Sequence, residues 1–467
     1  MKHIHLIGIG GTGLSAIAQV LLEQGYTVSG SDRESSPLFK AITSAGARTS
    51  VGHMPENITG ADLVIRSSAI PDDNPEVAAA IAQGIPVLKR RDFLAELTQG
   101  KQTLAVAGSH GKTTTTALLI WILHQLGTDP SFISGGVISQ LGCNAHSGKG
   151  PYFVIEADEY DYMFLGLTPN LAIVTNMEHD HPDCFPTRAD YQAAFEAFID
   201  RIQPSGKAIL CADDIGTRSL FTKGTERQLR MFSYGTGHPA DYRAVNITFE
   251  AGFPRFDLEY RDEHGQTQSL GTVNLKIPGH HNVLNAAGAL AAIHQLGLSV
   301  SAAIDAVTAF TGAGRRFEIL GQGDGVTIID DYGHHPTEMA ATLAAARTRY
   351  PGHRIWAVWQ PHTFTRTQNL AADFAQALQM ADRAVVLKIY ASRETDPGYS
   401  AASIVDALPA EKAAYAENFE IATQYLLNNL AAGDIVIVFS AGDATQLSQM
   451  VFTQLNQRKN EVSGTGS

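Results

Sequence analysis

The 467-residue sequence predicts an α/β protein of about three domains built on doubly wound parallel sheets. Three observations carry that expectation. An apolar strand at His3 to Ile7 runs into Gly8-Ile9-Gly10-Gly11-Thr12-Gly13 and a helix. A second, Leu104 to Ala107, runs into Gly108-Ser109-His110-Gly111-Lys112-Thr113 and a Thr-rich helix start. Beyond Arg316 the alternation of apolar run, polar turn and helical pattern recurs with regular spacing. Strands of such sheets point their carboxyl ends at ligands, so each of these turns marks one side of a site.

In the first segment an apolar-periodic helix is expected over Leu14 to Gln24, then a strand over Tyr26 to Ser29 closing on Ser31-Asp32. Glycines in the turn let backbone N–H groups approach a pyrophosphate at the helix N-terminus, and an acidic residue about twenty positions on suits a ribose. Gly10, Gly11, Thr12, Gly13 and Asp32 are therefore candidate ligand residues. Alone, the pattern reads as NAD binding; the physics admits any ligand carrying a pyrophosphate. Leu63-Val64-Ile65 then runs into Arg66-Ser67-Ser68-Ala69-Ile70, and Pro86-Val87-Leu88 into Lys89-Arg90-Arg91. The polar turn Thr98-Gln99-Gly100 sets a boundary, giving a first domain over 1–98.

The next turn has the chemistry of a phosphate cradle. Gly108, Ser109, His110 and Gly111 offer backbone N–H groups, Lys112 reaches the terminal phosphates, and the Thr113 hydroxyl suits Mg²⁺, with Thr114 alongside. The general pattern wants a glycine where this chain has Val106, so the loop is shorter than in common nucleotide hydrolases. Two further strands end in charge. Tyr152 to Ile155 leads into Glu156-Ala157-Asp158-Glu159-Tyr160-Asp161, and Leu171 to Val174 into Thr175-Asn176-Met177-Glu178-His179-Asp180-His181. An acidic cluster beside a triphosphate suits Mg²⁺ held by few protein ligands. The His-Asp-His run also fits zinc, and solvated loop charge remains the plain alternative for both. Residues from about Gln228 to Thr272 read as a β-rich insertion, followed by Pro278-Gly279-His280-His281-Asn282 and an Ala-rich helix over Val283 to Leu296.

Gly312-Ala313-Gly314-Arg315-Arg316 reads as a hinge, which places domains at 99–314 and 315–459. Strands are expected at Thr327 to Ile329, Ile355 to Trp359, Ala384 to Ile389 and Ile435 to Phe439. Their turns are Asp330-Asp331-Tyr332-Gly333-His334-His335-Pro336-Thr337, Gln360-Pro361-His362-Thr363-Phe364-Thr365-Arg366 and Ser440-Ala441-Gly442-Asp443. The polar, Gly/Ser-rich tail over 460–467 is expected to be disordered.

Composition narrows the classes. With 34 basic and 47 acidic residues the net charge is −13, which argues against nucleic-acid binding. The three cysteines, Cys143, Cys184 and Cys211, are scattered and odd in number, which fits a reducing compartment and no disulfide framework. No signal-peptide pattern opens the chain and no apolar run reaches membrane-spanning length, so a cytoplasmic protein without membrane insertion is expected.

Taken in order, these motifs resemble the muramyl (Mur) ligases of peptidoglycan synthesis, from Ile4 to about Asp443. The carriers are the two glycine turns, Ser67-Ser68-Ala69-Ile70, Glu156-Ala157-Asp158-Glu159, Gly312 to Phe317, Asp330 to Thr337 and Gln360-Pro361-His362; the short phosphate loop is the family's own form. The resemblance implies a UDP-binding Rossmann-like domain, a central P-loop ATPase-type domain and a Rossmann-like C-terminal domain that closes over the cleft. It also implies UDP where the first fingerprint alone suggested NAD.

Within that family the implied reaction is ATP- and Mg²⁺-dependent ligation of L-alanine to the carboxylate of UDP-N-acetylmuramate, by a monomer or weak homodimer. Implied roles follow residue by residue. Lys112 and Thr113 hold phosphates and metal. Glu156 and His181 hold metal, with Asn176 near. His281, Asn282 and Asn285 meet adenine, while Arg316 and Asp331 meet phosphate and ribose. Tyr332, His334 and Arg366 form the acceptor and amino-acid side, and Ser67 and Ser68 belong with the UDP-sugar. Relatives adding later amino acids carry a CO₂-modified lysine where this chain has Phe195, which agrees with the alanine-adding branch; Thr363 stands where some of that branch carry Arg. The Tyr160-Asp161 continuation also resembles the ligase that reattaches recycled tripeptide. An NAD-dependent oxidoreductase would leave the phosphate loop unexplained, and a nucleotide switch would leave the third segment without a task.

Overall fold

In the computed structural model, which describes residues 2–237, 239–392 and 394–464, three sheets follow one another along the chain. The first has five parallel strands in the order Arg48–Val51, Thr27–Asp32, His3–Ile7, Leu63–Arg66, Val87–Lys89. His3–Ile7 is buried along its whole length, as expected of a parallel strand covered on both faces. Strand order reverses on either side of it, so the glycine turn leaves the sheet at the switch point where ligands of such sheets bind. The second strand extends to Asp32, past the expected end at Ser29.

The central sheet has ten strands. Gln102–Ala107 lies between Leu171–Val174 and Tyr152–Glu156, parallel to both. The phosphate loop, Glu156 and the Thr175–His181 loop therefore leave the sheet side by side. The helix after the loop, Lys112–Gln125, is buried from Thr113 through Leu123, apolar enough all round to sit inside the domain. The alanines of His280–Gln295 let that helix approach it closely and carry Asn282 and Asn285 over the phosphate loop. The β-rich stretch is not a separate insertion. Arg230–Gly235 pairs in parallel with Lys207–Cys211, and Tyr242–Glu250, Phe253–Arg261 and Thr267–Asn274 extend the same sheet.

The third sheet runs Glu318–Gly323, Val326–Asp331, Ile435–Phe439, Ile355–Trp359, Arg383–Leu387, Ala413–Ala416. Its two outer strands escaped sequence reading because they are short, half-buried and weakly apolar. The same holds for Arg48–Val51 and Cys143–His146. The last helix continues through Gly464, beyond the expected start of a disordered tail at Asn460; with no proline after Thr445, nothing stops it there. Residues 465–467 lie outside the described residues.

Packing joins the sheets. Phe93, Leu94 and Leu97 of the helix Arg90–Leu97 belong to one apolar cluster with Phe164, Phe195 and Phe198 of the central domain. Phe195 is fully buried edge-on to Phe164 at 5.3 Å. The expected hinge is fastened at both ends. Ala313 bridges to Ile138 and Gly314 N–H donates to the Val137 carbonyl at 2.8 Å, while Arg315 reaches the Ser440 carbonyl in the third sheet. No helix among the described residues is long and apolar enough to cross a membrane.

Candidate active site

The phosphate loop is held from the neighbouring strand end. Asn176 accepts from His110 N–H at 2.8 Å and donates to the His110 carbonyl at 2.9 Å, and Thr175 Oγ1 donates to the same carbonyl at 2.6 Å. Gly108 and Gly111 adopt φ of +135° and +81°, the left-handed region that favours glycine. A Cβ at Gly108 would stand 2.0 Å from Thr175 Oγ1 and one at Gly111 2.5 Å from Asn285 Oδ1. The loop is thus closed on two sides by groups that no bulkier residue would admit.

At the base of the loop Thr113 Oγ1 donates to Glu156 Oε1 at 2.9 Å, and the other Glu156 oxygen accepts from Gly135 N–H at 2.6 Å. From the third domain Arg316 donates to the same Thr113 hydroxyl at 3.3 Å. Burial pushes the Glu156 carboxyl up, against Lys112 and Arg316. Hydroxyl and carboxylate oxygens this close are the hard donors Mg²⁺ takes, so Thr113 and Glu156 fit that ion. Lys112 folds back on the Gly108 carbonyl at 2.6 Å and pairs with Glu159 at 2.8 Å. Burial is the largest influence and opposes its charge, but the Glu159, Asp158 and Glu156 carboxylates together outweigh it and raise the ammonium above its ordinary range. His181 Nε2 faces Glu159 Oε1 at 3.8 Å and Asp180 at 3.7 Å. Lys112 and His181 are thus joined through Glu159, while Glu156 meets Thr113, the residue next to Lys112.

The zinc alternative does not hold. His179 is bonded to the Phe185 carbonyl at 2.8 Å, and Asp180 is taken by Arg366. Among the described residues the one His/acid trio at metal-ligand closeness is His110, Glu178 and His335. There His110 lies between Glu178 at 2.8 Å and Glu338 at 3.1 Å. Burial works against its charge, but the two carboxylates outweigh it and lift the imidazole to about 10. With Glu178 and Glu338 on either side of His110, this cluster forms an ion-paired seam between the phosphate loop and the third domain.

The sign of that shift sets a pH window. A raised pKa contributes stability that is full below the ordinary 6.5 and is lost as pH climbs toward 10. Glu178 and Glu338 are depressed below 4.5 despite burial, so their share is present above that value and lost as pH falls. The seam should be tightest between pH 4.5 and 6.5. An NMR titration of the His110 imidazole is expected to show a midpoint near 10; a midpoint near 6.5 would refute the seam.

Beyond the seam opens a cavity of about 700 Å³ between the central and third domains, lined by His110, Gly111, Thr114, His281, Asn282, Asn285, Arg316 and Asp331. Its size and mixed walls suit a nucleotide. Asn285 donates to Asn282 at 3.0 Å and accepts from Thr115 at 3.2 Å. His281 is driven down to about 4 by burial, then by neighbouring His280 and Arg316, so it is neutral. Burial lifts Asp331 to about 6 against Arg316, while Phe317 and Gly333 N–H groups bind its oxygens at 2.9 and 2.7 Å.

On the other side of the gap Tyr332 stands under the guanidinium groups of Arg315 and Arg316, each 5.0 Å from its ring centre. Its neighbour His334, with Nδ1 3.1 Å from the Tyr332 carbonyl, is pushed well below its ordinary value by burial and then by Arg366. Arg366 donates to Asp180 at 2.8 Å, both side chains nearly wholly buried, and so ties the third domain to the loop carrying His181.

The first-domain residues gather at their own strand ends. Asp32 accepts from Gly10 N–H at 2.9 Å, Gly11 caps the helix that begins at Thr12, and Ser67 packs against Gly8. Ser68 follows in the same turn. The Arg90 guanidinium fills the space where a side chain at Gly13 would point, and it pairs with Asp158 at 3.9 Å. This set therefore abuts the acidic turn of the central domain. Glu178 and Asp180 belong to the charged turn the sequence marks as facing the cleft, but with no individual role, and Glu338, Tyr191 and Arg90 are not among the site residues it singles out. Each matters through a partner distant along the chain, and of these three only Glu338, three residues after His335 as in a capping box, has a local signal.

With that geometry in hand, three family models match the chain in succession: "Mur ligase family, catalytic domain" over 3–102, "Mur ligase middle domain" over 106–293 and "Mur ligase, glutamate ligase domain" over 315–442. A UDP-N-acetylmuramate–L-alanine ligase of Frankia casuarinae is 40% identical, aligned over 97% of this chain and 98% of its own. One from Roseiflexus is 41% identical over 98% and 100%. The crystal structure of the Thermotoga maritima UDP-N-acetylmuramate–alanine ligase superposes with a TM-score of 0.81 at 28% identity, covering 98% of this chain and 100% of that one. A murein peptide ligase from Psychrobacter arcticus gives 0.73 at 27% identity, covering 98% and 99%.

Proposed function

The chain belongs to the Mur ligase family, whose members are ATP-dependent ligases, and from that premise we propose that its three sheets enclose one ligation site. There L-alanine is joined to the carboxylate of UDP-N-acetylmuramate. The domains are taken as 1–98, 99–314 and 315–459, binding UDP-sugar, ATP and amino acid respectively. One observation carries the reading: Glu156 at a strand end of the central sheet and Arg316 from the linker into the third sheet meet at the Thr113 hydroxyl, in the helix turn that begins at Lys112.

The lactyl carboxylate attacks the γ-phosphorus, ADP leaves, and an acyl phosphate forms. The alanine amine then attacks the acyl carbon and phosphate departs, so ATP, acid and amine become ADP, phosphate and amide. Two anions must first be brought together, which makes positioning and charge cancellation the main task. Lys112 and Arg316 supply fixed positive charge, and the helix Lys112–Gln125 presents its N-terminus to the phosphates. Thr113 and Glu156, together with His181, would hold Mg²⁺, which would supply further neutralisation of the reacting anions. The ammonium must lose a proton before it attacks. His334, held neutral, and His181 are the imidazoles facing that side. In the first domain Gly10, Gly11, Thr12 and Gly13 receive the pyrophosphate of the sugar nucleotide, with Ser67 and Ser68 beside it.

Each chain carries a full set of these residues, which supports a monomer or weak homodimer with no residue borrowed from a second copy, and the nucleotide substrates support a cytoplasmic location. The test is phosphate release with ATP, Mg²⁺ and UDP-N-acetylmuramate, adding each amino acid in turn and, separately, L-Ala-γ-D-Glu-meso-diaminopimelate. Release that requires L-alanine is expected; release with the tripeptide alone would assign the recycling reaction instead.

A further inference from the structure

We propose that Glu159 is a positioning residue that holds Lys112 and His181 in one frame before the nucleotide arrives; the proposal rests on the ligation reading above. Glu159 is fully buried, three residues beyond Glu156. A carboxylate so placed persists only when its charge is matched. Its Oε2 is ion-paired with Lys112 Nζ at 2.8 Å and has no hydrogen-bond partner among the described residues; its Oε1 accepts from the Tyr191 hydroxyl at 3.1 Å and faces His181 Nε2 at 3.8 Å.

The frame is closed from behind. The Tyr191 hydroxyl also touches Ser109 Oγ of the phosphate loop at 2.7 Å, and Ser109 in turn bonds both the carbonyl and the N–H of Glu178. The chain takes left-handed backbone at Asp161, Tyr162 and His181, φ 54–55°, to bring these groups together. No step of the reaction needs Glu159 as acid, base or phosphate ligand. Its contribution is that the long, flexible arm of Lys112 is ordered in advance, at a fixed place relative to the imidazole across the gap.

The direction of one measurable change separates this role from plain electrostatics. A neutral residue at 159 removes a negative charge next to an anionic nucleotide, which by Coulomb attraction alone would strengthen binding. A lysine left unplaced would weaken it. Glu159→Gln, nearly the same size, is therefore measured for ADP affinity by calorimetry, for kcat and KM in the phosphate-release assay, and for melting temperature. ADP affinity is expected to fall roughly five- to tenfold and kcat roughly 10- to 100-fold. KM for UDP-N-acetylmuramate should change less than about twofold, with the melting temperature preserved and Glu159→Asp recovering part of kcat.

ADP affinity that is unchanged or higher overturns the proposal, as does a kcat within about twofold of the parent. So does a parallel fall of melting temperature, sugar binding and kcat, which marks a general packing role. If the parent protein releases no phosphate with any acceptor, the ligation reading fails, and the ADP titration still decides whether Glu159 places Lys112.

Discussion

Replacing Lys112 by alanine is expected to cut phosphate release by about 10²–10³-fold, the scale seen when one preorganised charge stabiliser is lost from a reacting centre. Lys112 is the cation nearest the loop carbonyls, paired with Glu159 and kept firmly charged in a buried setting. No other side chain of the loop can take its place. Binding of UDP-N-acetylmuramate should be nearly intact, because Gly10 to Gly13 and Asp32 are built on a different sheet and bonded among themselves. Calorimetry with the sugar nucleotide and a coupled phosphate assay on one preparation check both halves. Loss of sugar binding together with turnover would mean that the two sites are one.

The second large effect concerns how the third domain is held. Arg366→Met removes one partner of a buried pair. It leaves the Asp180 carboxylate, 5% exposed and held against burial well below its ordinary value by His181 and then Arg366, with only the His181 side chain at 3.7 Å and the His181 N–H beside it. Breaking such a pair from one side typically costs about 3–5 kcal/mol. Here the pair joins two domains, so the loss should appear as weakened docking more than as unfolding of either sheet. Small-angle scattering of the unliganded variant is expected to give a larger radius of gyration than the parent, with a scattering curve that contracts on adding a non-hydrolysable ATP analogue. Adding Asp180→Leu, so that two apolar groups face each other, should restore part of the compactness. An unchanged radius in the single variant would show that the seam around His110 holds the domains without this pair.

Much of this was legible in the sequence, for a physical reason. Glycine turns after buried strands are local features: Gly8 to Gly13 and Gly108 to Thr113 declare both the backbone shape and the anion it suits within a dozen residues. Parallel strands buried on both faces also announce themselves as apolar runs, which is why Leu104 to Ala107, Ile355 to Trp359 and Ile435 to Phe439 were placed correctly. Edge strands such as Arg48–Val51 carry no such run and were missed.

Partner choice was the other blind spot. His110 and Glu338 are separated by 228 positions, Arg366 and Asp180 by 186, and no local pattern joins them. The acidic run Glu156 to Asp161 shows the limit within a single motif. Spacing marked the cluster, but only the fold shows that Glu156 faces Thr113, Asp158 faces Arg90 and Glu159 faces Lys112.

The segment from Gly312 to Arg316 has a mechanical consequence. A tether pinned to Val137 and Ile138 on one side and to Ser440 on the other acts as an axle, not a string. Any rotation of the C-terminal body would be confined to an arc about that axis, with sideways drift denied. A door hung this way would meet its frame in the same place each time it shut, bringing Arg316 back to the Thr113 hydroxyl without a search.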